Sequence, residues 1–151
     1  MVRDAVELGV AAGCELVAEV ARTHGEVQLQ VLGGSMLPSI WPGDRLIAQR
    51  RNPNQIQRGK IILYQRDGGL VAHRVVARDG DSLLTRGDSV SKADAPVPAE
   101  EIVGEIVAII RRGRRVALEL TLGRRMVAWV LRRSNFSTRV LLHFGMMAWA
   151  R

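Results

Sequence analysis

Lysine occurs twice in this 151-residue chain, cysteine once, histidine three times, and aromatic residues make up only 4%. Each scarcity excludes something. The lone Cys14 rules out an intramolecular disulfide and a thiol pair for metal, and within a helical pattern it reads as a small core residue. No run of about 18 apolar residues is present, so no spanning helix is expected. Asp4 and Glu7 interrupt the start where a basic region should meet an apolar run, so no secretory signal is expected. Internal repeats and low-complexity tracts are lacking, as is any helix-turn-helix pattern. No cofactor or metal is expected.

The charge is unevenly placed. The net charge is +7. Residues 1–110 hold 12 Lys and Arg against 14 acids, while residues 111–151 hold ten arginines against one glutamate. Basicity is thus a property of the tail. Arg111-Arg112-Gly113-Arg114-Arg115 could touch phosphates, but nothing supplies base readout, and nucleic acid is not the expected partner. At 47% apolar residues the chain is long enough to bury a core as one domain.

Three short motifs carry chemistry. Ser35 to Asp44 reads Ser-Met-Leu-Pro-Ser-Ile-Trp-Pro-Gly-Asp, followed by Ala-His-Arg-Val at 72–75 and Thr-Arg-Gly-Asp at 85–88. A serine hydroxyl needs a positioned base. Of the three histidines, His73 alone lies in a β-like run, and an imidazole suits base and then acid work, worth roughly 10²- to 10⁴-fold in rate. An acid on the other ring nitrogen would fix the tautomer; Asp88 and Asp94 are both placed to supply it. Gly33 and Gly34 precede Ser35 and let a carbonyl approach the main chain. The backbone N–H groups of Ser35 and Gly33 are therefore candidate oxyanion donors. Met36 and Ile40 are candidate walls for a substrate lying extended along a strand edge. The two lysines, Lys60 and Lys92, are the only alternatives to His73 as base, and neither neighbourhood is apolar enough to depress a lysine pKa.

Taken in order, these motifs resemble the catalytic core of the signal peptidase I superfamily, which also holds self-cleaving SOS-type repressors. Ser35, Met36, Pro38, Gly43 and Asp44 match its nucleophile motif; His73, Arg74 and Val75 match the strand bearing the base; Gly87, Asp88 and Asp94 match the third. Most bacterial members carry lysine at the base position, so histidine at 73 is similar to the endoplasmic-reticulum and archaeal branch. Most members have serine where this chain has Gly33, which leaves main-chain donors to hold the oxyanion. The branch usually has asparagine after the third motif's aspartate, where this chain has Ser89-Val90. The resemblance implies a serine endopeptidase acting on a leader-like or signal-like peptide after small residues, with Ser35, His73 and Asp94 or Asp88 in the named roles. A cytoplasmic leader-processing or self-cleaving enzyme, and a non-catalytic peptide-binding module on the same fold, are the alternatives. The last of these predicts Ser35 and His73 too far apart to bond.

The periodicity predicts a helix over 4–22, with Glu15, Glu19 and Arg22 on one face and Val17 and Val20 on another. Strands are predicted at 26–32, 45–49, 60–65, 70–77, 82–85, 102–110 and 114–120, with Asp67-Gly68-Gly69 and Asp79-Gly80-Asp81 as hairpin turns. The expected fold is mainly β, a small coiled β-fold of the signal-peptidase and SOS-repressor type, organised as an N-terminal helix (1–24), a peptidase-like core (25–120) and a basic helical tail (121–151). Helices are predicted at 122–133 and 139–150. Basic, apolar and tryptophan-bearing, the tail reads either as an interfacial membrane helix or as a helical pair packed on the domain or a second copy. The expected location is cytoplasmic or peripheral on a membrane surface.

Overall fold

The computed structural model describes residues 2–119 and 121–133, with side chains from residue 13 onward. Helix α1 (Val2–His24) is followed by strands β1 (Glu26–Gln30), β2 (Arg45–Gln49), β3 (Ile61–Arg66), β4 (Gly69–Asp79), β5 (Ser82–Arg86), β6 (Ile102–Arg111) and β7 (Arg114–Val116), and then by helix α2 (Leu122–Arg133). All strand neighbours run antiparallel. The order is β1-β2-β6-β3-β4-β5 with β7 beside β6, and the sheet is open rather than closed into a barrel. The architecture is mainly β, as the alternating strands predict.

Both faces of the central strand are buried. Ile61 and Leu63 join one apolar cluster with Leu46, Ile106 and Ile109, capped by Ala18 and Ala21 of α1. Ile62 and Tyr64 point the other way into a second cluster with Val75, Leu83 and Val97. This is why β3 reads as a continuous apolar run rather than an alternation. Helix α1 covers the first cluster through the predicted face, with Val17 and Val20 packed and Glu15, Glu19 and Arg22 outward.

Bulges between Ile47 and Ala48, Leu63 and Tyr64, and Val75 and Ala77 supply the coiling. At Gly104 a Cβ would lie 2.6 Å from the Gln49 carbonyl oxygen, so only glycine lets β2 and β6 cross that closely.

Two strands end earlier than expected, the first being β1, which stops at Gln30 instead of residue 32. β7 stops at Val116 instead of running to residue 120, because it pairs only with the end of β6, and the Leu118 carbonyl accepts from Arg74 instead of from a strand. Short 3₁₀ turns at Pro53–Gln55 and Ala99–Glu101 had no sequence counterpart. The helix predicted at 139–150 lies outside the described residues. Among the described residues, no helix is long and apolar enough to cross a membrane.

Candidate active site

The alternation of β4 sorts the two aspartates. Adjacent strand residues face opposite sides of a sheet, so His73 and Arg74 diverge. His73 sits opposite Ile62 and shares its face with Tyr64 and Val75. Thr85, paired with Val75, joins the same face. Arg74 points the other way and takes Asp88 with it.

On the first face, His73 Nδ1 is 2.7 Å from Asp94 Oδ2 and His73 Nε2 is 2.9 Å from the Ser35 hydroxyl. A carboxylate only accepts, so Nδ1 carries the proton and Nε2 is left to accept from Ser35. The His73 side chain is 10% exposed, which screens this chain of bonds from water without sealing it.

Asp94 is itself held. Its main-chain N–H donates to the Thr85 carbonyl at 2.8 Å. The Thr85 hydroxyl donates to Asp94 Oδ2 at 2.6 Å and the Tyr64 hydroxyl to the same oxygen at 3.2 Å. The Tyr64 ring meets the His73 ring edge-on at 6.3 Å between centroids. Burial pushes the Tyr64 phenol up to about 12, with the Asp94 carboxylate adding to the rise and the Thr85 hydroxyl opposing it. Tyr64 therefore remains a neutral donor across the physiological range.

On the second face, Asp88 is 5% exposed. It accepts from Arg74 Nε at 2.9 Å and Nη2 at 2.8 Å, and from the Ser39 hydroxyl. Arg74 also donates to the Gly59 carbonyl at 2.8 Å. Asp88 makes no bond to His73. Of the two acids left open by the sequence, it is Asp94 that reaches the imidazole, while Asp88 ties β4, through Arg74, to the turn following Ser35.

Ser35 opens a turn spanning residues 35–39, directly after the chain leaves β1. The Ser35 carbonyl accepts from the Ser89 N–H at 3.0 Å and the Ser89 hydroxyl at 2.8 Å, and the same hydroxyl lies 3.0 Å from the Gly34 carbonyl. Gly87 closes the contact: a Cβ there would lie 2.5 Å from the Ser35 carbonyl oxygen and 3.1 Å from His73 Nε2. The Ser35 N–H makes no hydrogen bond among the described residues, so it is available to a developing oxyanion. At Gly33, which is exposed, a Cβ would meet nothing within 4 Å, so the space beside Ser35 is open there.

Other named residues fall elsewhere. Met36 and Ile40 are 3% and 1% exposed and belong to the first core cluster. They anchor the turn from below and offer no wall to a substrate. The turn's backbone folds back on itself, Ile40 N–H to Met36 carbonyl at 3.0 Å, which aims both side chains inward. Lys60 faces solvent and lies 3.7 Å from Glu105; Lys92 is exposed in the loop. Neither touches Ser35. Asp44 accepts from the Trp41 N–H at 2.8 Å and from Arg111 at 2.8 and 2.6 Å, so it braces the motif structurally. Among the described residues, no three His, Cys, Asp or Glu side chains gather into a metal-binding group.

Tyr64 lies outside the three motifs, and Thr85 and Ser89, which stand at the start of the third motif and directly after it, carried no expected role. A signal for Tyr64 existed. The Asp67-Gly68 turn pairs Arg66 with Gly69, and counting back along that register sets residue 62 opposite 73 and residue 64 one diagonal away.

Comparison with known proteins adds a family. Residues 6–105 match the family model described as "Signal peptidase, peptidase S26", well over half of the chain. Curated relatives named "Inactive signal peptidase IA", from Staphylococcus aureus strains N315, MW2 and COL, are each 33% identical over 66 residues. That stretch is 42% of this chain and 38% of the relative, so the similarity spans well under half the relatives' length.

Proposed function

The chain belongs to the signal peptidase family, peptidase S26, and from that premise we propose that it is a serine endopeptidase working through Ser35, His73 and Asp94. The observation that carries the reading is the continuous run of bonds from Ser35 Oγ through the two ring nitrogens of His73 to Asp94 Oδ2, at 2.9 and 2.7 Å.

In this mechanism the Ser35 hydroxyl gives its proton to His73 Nε2 as its oxygen bonds to the scissile carbonyl carbon. The carbonyl's electron pair moves onto oxygen, and the Ser35 N–H, with the Gly33 backbone beside it, holds that oxyanion. One such donor is worth roughly 10²- to 10³-fold. Asp94 stabilises the imidazolium. His73 then returns the proton to the departing amine, the C–N bond breaks, and an acyl-serine remains. Water, deprotonated by the same Nε2, completes hydrolysis. Tyr64 and Thr85 hold Asp94 in place throughout. The substrate class is a leader-like or signal-like peptide bound in extended form.

The relatives are named inactive, so a scaffold without chemistry is a reading to be met directly. Such a scaffold has no need of a nucleophile and base within hydrogen-bond reach, and the 2.9 Å separation favours catalysis. The test is labelling with a serine-reactive covalent probe, with the modified residue located by mass spectrometry. The expected result is modification of Ser35, lost in Ser35→Ala and sharply slowed in His73→Ala. A folded wild-type protein that neither takes up the probe nor cleaves any peptide of a random-sequence pool would end the proposal.

A further inference from the structure

Helix α2 is turned inside out for a helix in water. At about 100° per residue, Trp129, Leu122, Met126, Val130 and Val127 fall on one continuous arc, and that arc faces outward. Leu122 is 79% exposed, Met126 73%, Trp129 58%, Val130 49% and Val127 40%. Only Ala128 and Leu131 are buried. Three of the helix's arginines lie off this arc and Arg133 falls within it, between Leu122 and Met126; two of the three are spent on main-chain carbonyls, Arg124 donating to Ala117 at 2.8 Å and Arg132 to Ala128 at 3.1 Å. The other two, Arg125 and Arg133, are exposed, and the Arg133 guanidinium lies 5.4 Å over the Trp129 ring.

We infer that this face of α2 seats on an anionic lipid bilayer surface. The inference stands apart from the proposed chemistry and uses none of its residues. Five large apolar side chains on one arc give the area that an interfacial helix buries, and a tryptophan under an arginine is an amphipathic pair suited to the headgroup level. Charge selects the occupant. Residues 111–133 carry eight arginines and a single acid, Glu119, and α2 itself has no acid. Arg111 is paired with Asp44; a negatively charged surface attracts the others. A second copy of the chain seated on the same face would instead bring like-charged arginines together around the two-fold contact.

The test is partition of the full chain onto vesicles of phosphatidylcholine, with and without a third of phosphatidylglycerol, paired with the exposed-site variants Met126→Ser/Trp129→Ser and Arg125→Gln/Arg133→Gln. Because the substituted side chains are solvent-exposed, each variant should melt with the wild type. The expected result is binding to the anionic vesicles that weakens with salt, falls on the order of tenfold or more in the apolar variant, and falls severalfold in the charge variant. Trp129 fluorescence, read as the difference between wild type and Trp129→Phe, should shift to shorter wavelength only when anionic vesicles are added. Three results would overturn the inference. One is equal partition of wild type and apolar variant. Another is self-association in sedimentation that the apolar variant abolishes, which assigns the face to a second copy. The last is a Trp129 already shielded from acrylamide without lipid, which assigns it to the chain's own segment 134–151.

Discussion

Replacing Gly87 with alanine adds a single methyl group at the point where the three motifs meet. Gly87 is not among the glycines of positive φ, so alanine adopts its backbone conformation freely and the effect is steric. The new Cβ would lie 2.5 Å from the Ser35 carbonyl oxygen, 2.9 Å from Val90 Cγ2 and 3.1 Å from His73 Nε2. Ordinary contact needs about 3.5 Å, so the carbonyl must withdraw by roughly 1 Å or the loop carrying Gly87 must lift by as much. That carbonyl is pinned by two donors from Ser89, so the strain passes to the 2.9 Å bond between Ser35 and His73. A misplacement of about 1 Å at reacting groups costs on the order of 10²-fold in rate, and the added volume costs about 1–3 kcal/mol of stability. The assay is the second-order rate of Ser35 modification by a covalent probe, with a thermal melt on the same sample. Gly33→Ala is the matched control: its Cβ meets nothing within 4 Å and its N–H is retained, so its rate should stay within about twofold of wild type. A folded Gly87→Ala protein reacting at the wild-type rate would refute the claim that this glycine sets the distance between nucleophile and base.

Asp94→Asn should lower the rate by on the order of 10³- to 10⁴-fold, because an amide no longer enforces the Nδ1–H tautomer; peptide hydrolysis or probe labelling measures it. Asp88→Asn leaves the Arg74 guanidinium without its charged partner in a buried site, so its larger effect should be on stability, by a few kcal/mol in denaturant unfolding. Equal losses of rate per folded molecule in the two variants would contradict the division of labour between these acids. Tyr64→Phe should flatten part of the alkaline stability profile. With the folded phenol pushed up to about 12 by burial, the unfolded chain ionises first, so wild-type stability falls from about pH 10 until about pH 12. That contribution, roughly 2–3 kcal/mol at the top of the window, should be missing in the variant. Gly33→Ser places a hydroxyl donor beside Ser35 in open space and should raise the rate severalfold; no change in rate would show that a side chain at position 33 does not reach the oxyanion.

Much of this molecule is local and was therefore legible. The strands and α1 follow from side-chain period, the hairpins from Asp67-Gly68 and Gly80, and the pairing candidates Ser35 and His73 from motifs of a few residues each. Those features depend on short-range sterics and on which face of an element is apolar. What depends on distant chain segments meeting was not readable. Met36 and Ile40 look like a substrate wall in one dimension and prove to be core, because the turn that carries them folds over α1 and β6. Asp88 and Asp94 are equivalent on paper; the pleat of β4 sends His73 and Arg74 to opposite faces and so assigns one acid to each. Thr85 and Tyr64 come from different strands and meet Asp94 only through two antiparallel registers. The candidate residues were written into residue types, and the choice among them belonged to the sheet, since only pairing register decides which side chains share a face.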